Sequence, residues 1–437
     1  MKCRTSYVAV GTIALCVAAS GGAEDRAAHE PKPYMRVVDD GGVTRLEMAV
    51  RKFEAVDGAA DGGGRARGPV VYFAAAVHIA EGAFYRDLQG FLDAQDVVLF
   101  ESVKPAGAGD ARHDGVVPQT DEARRKRSEQ RVRFVGVAVE RFRMQEKRYP
   151  KTLDEIAASG MGRMADLLKS SSVDAWGNAI VYTLVPATAE GERARVEVVS
   201  LGADGRVGGD GIDADLRLSD QKPLNKSELG DRSKGIQQRL ADALEVEFQL
   251  TAMHHDRANW RNSDLSIDQV EARLEQAGAD GGMLFSMLDG SSMGSKLAGF
   301  LIGLLGSTPE SRAMLRVAMI ETIGRADALF AGLGGEMGAL MEVIVVDRNT
   351  AVLTDLRAII ENEPGVKSVA IIYGGGHLPD LERRLVREFG YSPAGDEWRT
   401  AMRVDAKAAG LTPGQLTATR KMIGSMLEAQ TKRAKKK

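Results

Sequence analysis

The sequence predicts a mixed α/β (α+β) protein, with a central sheet flanked by many helices and interrupted by a small α+β domain. Three observations predict it. Two β-rich runs, "PVVYFAAAVHI" (Pro69–Ile79) and "DVVLFESV" (Asp96–Val103), flank an amphipathic helical run, as in a parallel strand–helix–strand unit. A third apolar run, in "VAIIYGGGHLPDLERRL" (Val369–Leu385), passes through three glycines into a helical pattern. Between these parts, from about residue 121 to 220, the texture changes to a basic helix and short αβ segments.

Residues 1–23 read as a secretory leader. Lys2 and Arg4 precede the apolar core "YVAVGTIALCVAA", and "SGGAED" offers cleavage after Ala23. Both cysteines, Cys3 and Cys16, fall inside it, so the mature chain is expected to lack thiol catalysis, thiolate ligation and disulfides. Any metal site must then use His, Asp, Glu or backbone oxygen. The chain has 437 residues, 44% hydrophobic and 27% charged, with net charge −3, which gives no global case for nucleic-acid binding.

Residues 24–68 are expected to be irregular, closing in the glycine-rich linker "DGAADGGGRARG". The first core part, 69–120, follows. Its strand ends on His78, its helix carries Phe84, Leu88, Phe91 and Leu92 on one face, and its second strand ends on Glu101. Parallel strands place His78 and Glu101 on one rim. The helix "RRKRSEQRVRFVGVAVERFRMQEKRYP" stops at Pro150 and opens the inserted domain, 121–220; a long surface insertion costs little loop entropy. In the second core part, 221–400, "GIQQRLADALEVEFQLTAMHH" reads as helical. "LAGFLIGLLG" (Leu297–Gly306) is too short to span a membrane and reads as a buried helix or a lid. "GALMEVIVVDRNTAVLTDLRAIIENEPG" (Gly338–Gly365) reads as a helix whose last turn carries Asp347, Arg348 and Asn349, followed by another helix. Residues 401–437 close the chain as a helix with the basic tail "KRAKKK". His29 and His113 lie in loops with no pattern around them. His254 and His255 are adjacent and would point to different helix faces.

"AAAVHIAEGAFYRDLQGFLDAQDVVLFESV", "ANWRNSDLSIDQVEARL", "VVDRNTAVLTDLRAII" and "IIYGGGHLPDLERRL" together resemble the TraB/Tiki family, which is grouped with erythromycin-esterase-like and ChaN-like proteins. The resemblance implies an exported metal-dependent hydrolase acting on a peptide or small-molecule substrate. It implies that His78, Glu101 and His377 hold a divalent transition metal (Mn, Co or Zn) and that Glu101, Arg348 and Asn349 are catalytic. Glu101 then serves as ligand or as general base, and Arg348 stabilises an oxyanion or orients Glu101. Ala75 stands where the family has Gly, and Asp347 where it more often has Glu. The alternative is a non-catalytic protein, either haem- or metal-binding, with Tyr85 and Tyr373 near the two histidines in sequence, or a type II secretion-associated interaction protein.

Within the insert, "RYPKTLDEI", "VDAWGNAIVYTL" and "VEVVSLGADGRVGGDGIDADLRL" resemble the C-terminal domain of major type II secretion pseudopilins, the GspG family. The resemblance implies a Ca²⁺ loop formed by Leu201, Asp204, Asp213 and Asp215, with Asp210 as a substitute ligand. It also implies contact with a secretion apparatus or envelope protein. A pseudopilin has a hydrophobic helix directly ahead of this domain. Here a strand–helix–strand unit precedes it, so it is expected to be a borrowed module rather than a pilus subunit. The mature chain is expected to have no membrane span and to reside in the periplasm or outside the cell.

Overall fold

A computed structural model describes residues 29–56, 68–104, 107–108, 113, 120–159, 167–168, 171–185, 194–224, 244–276, 308–325 and 342–434. The expected leader, the apolar run Leu297–Gly306 and the end of the basic tail lie outside the described residues.

In chain order the core contains β1 (Met35–Asp40), β2 (Val43–Ala55), β3 (Val70–Ala76), β4 (Ile79–Ala80), α1 (Gly82–Asp93) and β5 (Val97–Phe100). The insert contains α2 (Asp121–Glu146), α3 (Leu153–Ala158), β6 (Val181–Val185), β7 (Arg195–Ser200) and β8 (Leu216–Arg217). The core resumes with β9 (Glu247–Phe248), β10 (Trp260–Asn262), α4 (Ile267–Gln276), α5 (Pro309–Ile323), α6 (Arg348–Asn362), β11 (Ser368–Gly374), α7 (Leu378–Phe389), β12 (Tyr391–Asp405) and α8 (Pro413–Ala434).

The seven-stranded sheet runs β1-β2-β3-β11-β5-β10, with β12 also paired to β2. β3, β11, β5 and β10 are parallel, while β1, β2 and β12 form an antiparallel wing. Strands β5 and β11 are apolar and buried nearly throughout because helices and loops cover both faces. The two strands of the expected parallel pair, β3 and β5, run in the same direction but do not touch. β11 lies between them, so its glycines reach the rim that β3 and β5 share.

Four expectations are corrected. The segment expected to be irregular holds the β1–β2 hairpin, in which Leu46 and Met48 face the core between Arg45 and Glu47. The expected C-terminal helix begins only at Pro413, because β12 first pairs with β2 along its whole length. Of the stretch expected to be helical before His255, residues 235–243 lie outside the described residues; the described part is β9 and a single turn, Gln249–Ala252, with His254 and His255 beyond it. Asp347, Arg348 and Asn349 do not sit in a helix's last turn. A π-helical turn, Glu342–Asp347, precedes them, and Arg348 opens α6.

The insert folds around its own cluster, with Val132, Val135, Val139 and Phe142 of α2 packed against Ile156, Ile180 and Val198. It meets the core at α4, where Arg127 of α2 pairs with Asp268 at 3.4 Å; Asp268 also accepts the N–H of Gly107, in the core segment ahead of the insert, at 3.0 Å. No helix of the described residues is long and apolar enough to cross a membrane.

Candidate functional site

The carboxyl ends of the parallel strands bring four chain segments together. Glu101 follows β5, Gly374 ends β11, and His377 closes the single turn that leads into α7. Arg348 and Asn349 open α6. Asp264 comes from the loop after β10 and is fully buried.

Arg348 organises the charges. Its Nε and Nη2 donate to the two Asp264 oxygens at 2.9 and 2.7 Å, and Nη2 also donates to Glu101 Oε1 at 2.7 Å. The other Glu101 oxygen accepts the Gly374 N–H at 2.6 Å. This bond explains the glycine: a Cβ on Gly374 would sit 3.3 Å from Glu101 Oε2, tighter than most real contacts, so a side chain would press on the bond it must frame. Burial pushes the Glu101 carboxyl up, but Arg348, His377, His78 and the Gly374 N–H outweigh it and hold the group well below the usual carboxylate range.

Asn349 fixes His377. Its amide nitrogen donates to Asp380 at 2.9 Å and to the His377 carbonyl at 3.1 Å, both pure acceptors, which leaves Oδ1 facing His377 Nδ1 at 2.8 Å. Nδ1 must therefore carry the proton. Burial lowers the His377 pKa, against the pull of Glu101, so the ring is neutral near pH 7. The Nε2 lone pair then lies 3.8 Å from Glu101 Oε1. The 3.8 Å gap between these two acceptors lies beside one arginine and two carboxylates, a local excess of one negative charge. Such a gap suits a proton, a water or a cation.

The predicted residues are only partly united. Glu101, Arg348, Asn349 and His377 form one cluster, but Asn349 faces the imidazole rather than the gap, so it positions His377. His78 lies past the end of β3 and is exposed, interacting with Glu101 only through its charge. Among the described residues no three His, Cys, Asp or Glu side chains are gathered to hold a metal ion. The two tyrosines of the haem alternative are committed elsewhere: Tyr85 donates to the Val77 carbonyl at 2.7 Å and Tyr373 to the Ser263 carbonyl. Tyr373 instead packs edge-on against His377, with ring centroids 5.2 Å apart.

Sequence reasoning missed Asp264, although it lies within "ANWRNSDLSIDQVEARL". It also set aside two histidines that have partners. His113 is buried 3.2 Å from Asp355, whose other oxygen accepts from Ser263 at 2.6 Å, and His29 Nε2 lies 2.7 Å from Glu382.

In the insert, Leu201, Asp204, Asp210, Asp213 and Asp215 share one loop that turns through left-handed Gly202 and Gly209. The Asp174 carboxylate braces it by taking the Trp176 and Asn178 N–H groups, while Asn178 donates to the Gly202 carbonyl at 2.8 Å. Asp215 is occupied by the Gly208 N–H at 3.0 Å and by Arg217 at 2.6 Å, and Asp204 accepts from the Arg206 N–H at 3.0 Å. The aspartates are therefore neighbours in the loop without forming a gathered ligand set.

Residues 115–219 match the family model of type II secretion system (T2SS), protein G. No curated protein and no solved structure gives a significant match. The chain thus carries a segment similar to type II secretion protein G within a mixed α/β core.

Proposed function

We propose that the Glu101–His377–Arg348 cluster is a hydrolytic centre of the TraB/Tiki kind, peptidase-like and completed by a divalent cation (Mn, Co or Zn). The observation that carries this reading is the pair of convergent acceptors, His377 Nε2 and Glu101 Oε1, 3.8 Å apart at the carboxyl edge of the parallel strands. Their donor chemistry fits a cation: an imidazole nitrogen and a carboxylate, with Asn349 fixing the tautomer from behind. His377 and Glu101 would hold the ion, with His78 at the rim. When bound, such an ion lowers the pKa of its water and polarises a carbonyl. Arg348 orients Glu101 through Nη2, which favours an orienting role over an oxyanion role. Buried Asp264 keeps Arg348 in place. Ala75, where the family has glycine, is buried within β3 opposite Tyr373 of β11, the residue that packs against His377.

The match to protein G supports a second, compatible element. The match to residues 115–219 supports an exported or envelope-associated chain, in which the insert would contact a secretion-apparatus or envelope protein. Its aspartate loop would hold Ca²⁺, which would relieve the repulsion among Asp204, Asp210 and Asp213, Asp215 being paired with Arg217.

The test is turnover of a fluorogenic peptide library by the full chain with each of Mn²⁺, Co²⁺ and Zn²⁺, beside Glu101→Gln and His377→Ala. Hydrolysis that falls by about 10²-fold or more in both variants supports the reading. Activity that survives both variants overturns it.

A further inference from the structure

A cavity of about 270 Å³ opens on the same edge of the sheet. Val50 pairs with Ala74, and Asp405 pairs with Val43, so the start of β2 and the end of β12 lie on the side where β3 ends. The cavity is bounded by Glu81, which precedes α1, by the first turns of α5, and by Arg403–Asp405 of β12. Three arginines line it, Arg312, Arg316 and Arg403, with three acids, Glu81, Glu245 and Asp405.

The acids are engaged. Glu245 pairs with Arg312 at 2.7 Å, Glu81 accepts the Arg403 main-chain N–H at 3.0 Å, and Asp405 accepts the Ala408 N–H at 3.1 Å. Arg316 is served less well. Among the described residues its guanidinium makes one long hydrogen bond, Nη1 to the Arg403 carbonyl at 3.5 Å, and one loose ion pair with Glu81 at 3.8 Å. Its Nε is buried and has no hydrogen-bond partner. Burial, with Arg312 adding to it, lowers the Arg316 pKa despite Glu81 and Glu245, as expected for a cation whose charge is incompletely balanced. Arg403 of β12 also lines the cavity, touching Glu81 and Arg316 through its main chain, and its side chain is exposed and has no partner among the described residues. The amino end of α5, capped by Thr308, faces the cavity through Pro309 and adds a positive dipole end.

A planar carboxylate matches a guanidinium fork. A doubly charged phosphate would add two negative charges beside three acids, whereas a carboxylate adds one. The volume lies below the roughly 300–1,000 Å³ typical of drug-sized ligands, which suits one or two residues of a chain end.

We infer that this cavity is a carboxylate subsite, held by Arg316 and Arg403, that takes the C-terminal end of a peptide. The inference stands on the cavity alone and does not require the hydrolytic reading. If both hold, the subsite anchors a peptide on the rim that also carries Glu101 and His377.

The experiment is isothermal titration of the full chain with N-acetyl-Ala-Ala, its C-terminal amide, propionate and inorganic phosphate. It reads binding without turnover, so it fails or succeeds separately from the hydrolysis assay. The expected result is saturable binding of N-acetyl-Ala-Ala, at least tenfold weaker for the amide and for both Arg316→Gln and Arg403→Gln. Arg403 is exposed, so its variant keeps the test available should Arg316→Gln misfold, with circular dichroism as the control. Propionate binding as tightly as the dipeptide supports the carboxylate but overturns the chain-end assignment. Preference for phosphate, no saturable binding, or unchanged affinity in folded variants overturns the proposal.

Discussion

Replacing Arg348 by methionine should be among the most damaging single changes in the core. Arg348 is 8% exposed and sits between Asp264, fully buried, and Glu101. Methionine fills much of the volume but leaves both carboxylates without their cation. Breaking a buried ion pair by removing one partner costs about 3–5 kcal/mol. With roughly 2–4 °C lost per kcal/mol in a domain of this size class, the melting temperature should fall by about 6–20 °C. The loss should depend on pH in a defined direction. Glu101 has its folded pKa depressed, so its contribution is present above the unfolded carboxyl value and is lost as pH falls through the lower folded value. Without Arg348 the burial that pushes this carboxyl up is less opposed, so protonation neutralises the orphaned group at a higher pH than in the wild type. The stability gap between wild type and variant should therefore be widest near pH 7.5 and narrow toward pH 4.5. Urea melts at the two pH values measure it, with the Arg348→Met/Asp264→Asn double variant expected to lose less than the sum of the single losses. A gap below about 1 kcal/mol, or one that does not change with pH, would refute the reasoning.

Three other outcomes follow from local geometry. Tyr34→Phe removes a hydroxyl donor from buried Glu382, which also binds Arg51 at 2.6 Å, and should cost about 1–3 kcal/mol in chemical denaturation; a neutral result would mean that Arg51 and His29 satisfy the carboxylate alone. Gly202→Ala combines φ +69° with a Cβ 2.4 Å from the Asp213 carbonyl oxygen, so it should lower the melting temperature and remove any calcium-induced rise; a wild-type melting curve contradicts this. Because burial lowers the His377 pKa, the unfolded chain takes up this proton first, and stability should decline as pH falls below about 6.5; NMR of the ring should show it titrating below its ordinary value, and titration at or above that value contradicts the buried neutral imidazole.

The strands β3, β5 and β11 were legible because buried parallel strands are continuous apolar runs, and the residues at their ends were legible because such edges collect polar groups. Glu101 and His377 emerged this way, and Arg348 and Asn349 through family resemblance. Asp264 did not emerge: a lone aspartate in a polar loop has no spacing signal, and only the fold brings it to Arg348. β12 was hidden because "YSPAGDEW" opens with Pro and Gly, which read as a turn yet are tolerated on an edge strand. The β1–β2 hairpin was readable from the alternation of Leu46 and Met48 with Arg45 and Glu47, but the adjoining glycine-rich linker biased the whole segment toward loop. His78 shows the limit of strand-end reasoning. The chain continues past β3 through Val77 before pairing again in β4, and this leaves the imidazole in solvent instead of in the gap.

The most direct test of the central claim is the metal content of the chain purified without chelator, compared with His377→Ala and His78→Ala. About one transition metal per chain is expected in the wild type, with loss of that metal in His377→Ala, at most partial loss in His78→Ala, and calcium unchanged in all three. A wild type that takes up no manganese, cobalt or zinc even after soaking, or a His377→Ala variant that retains the metal in full, would contradict it.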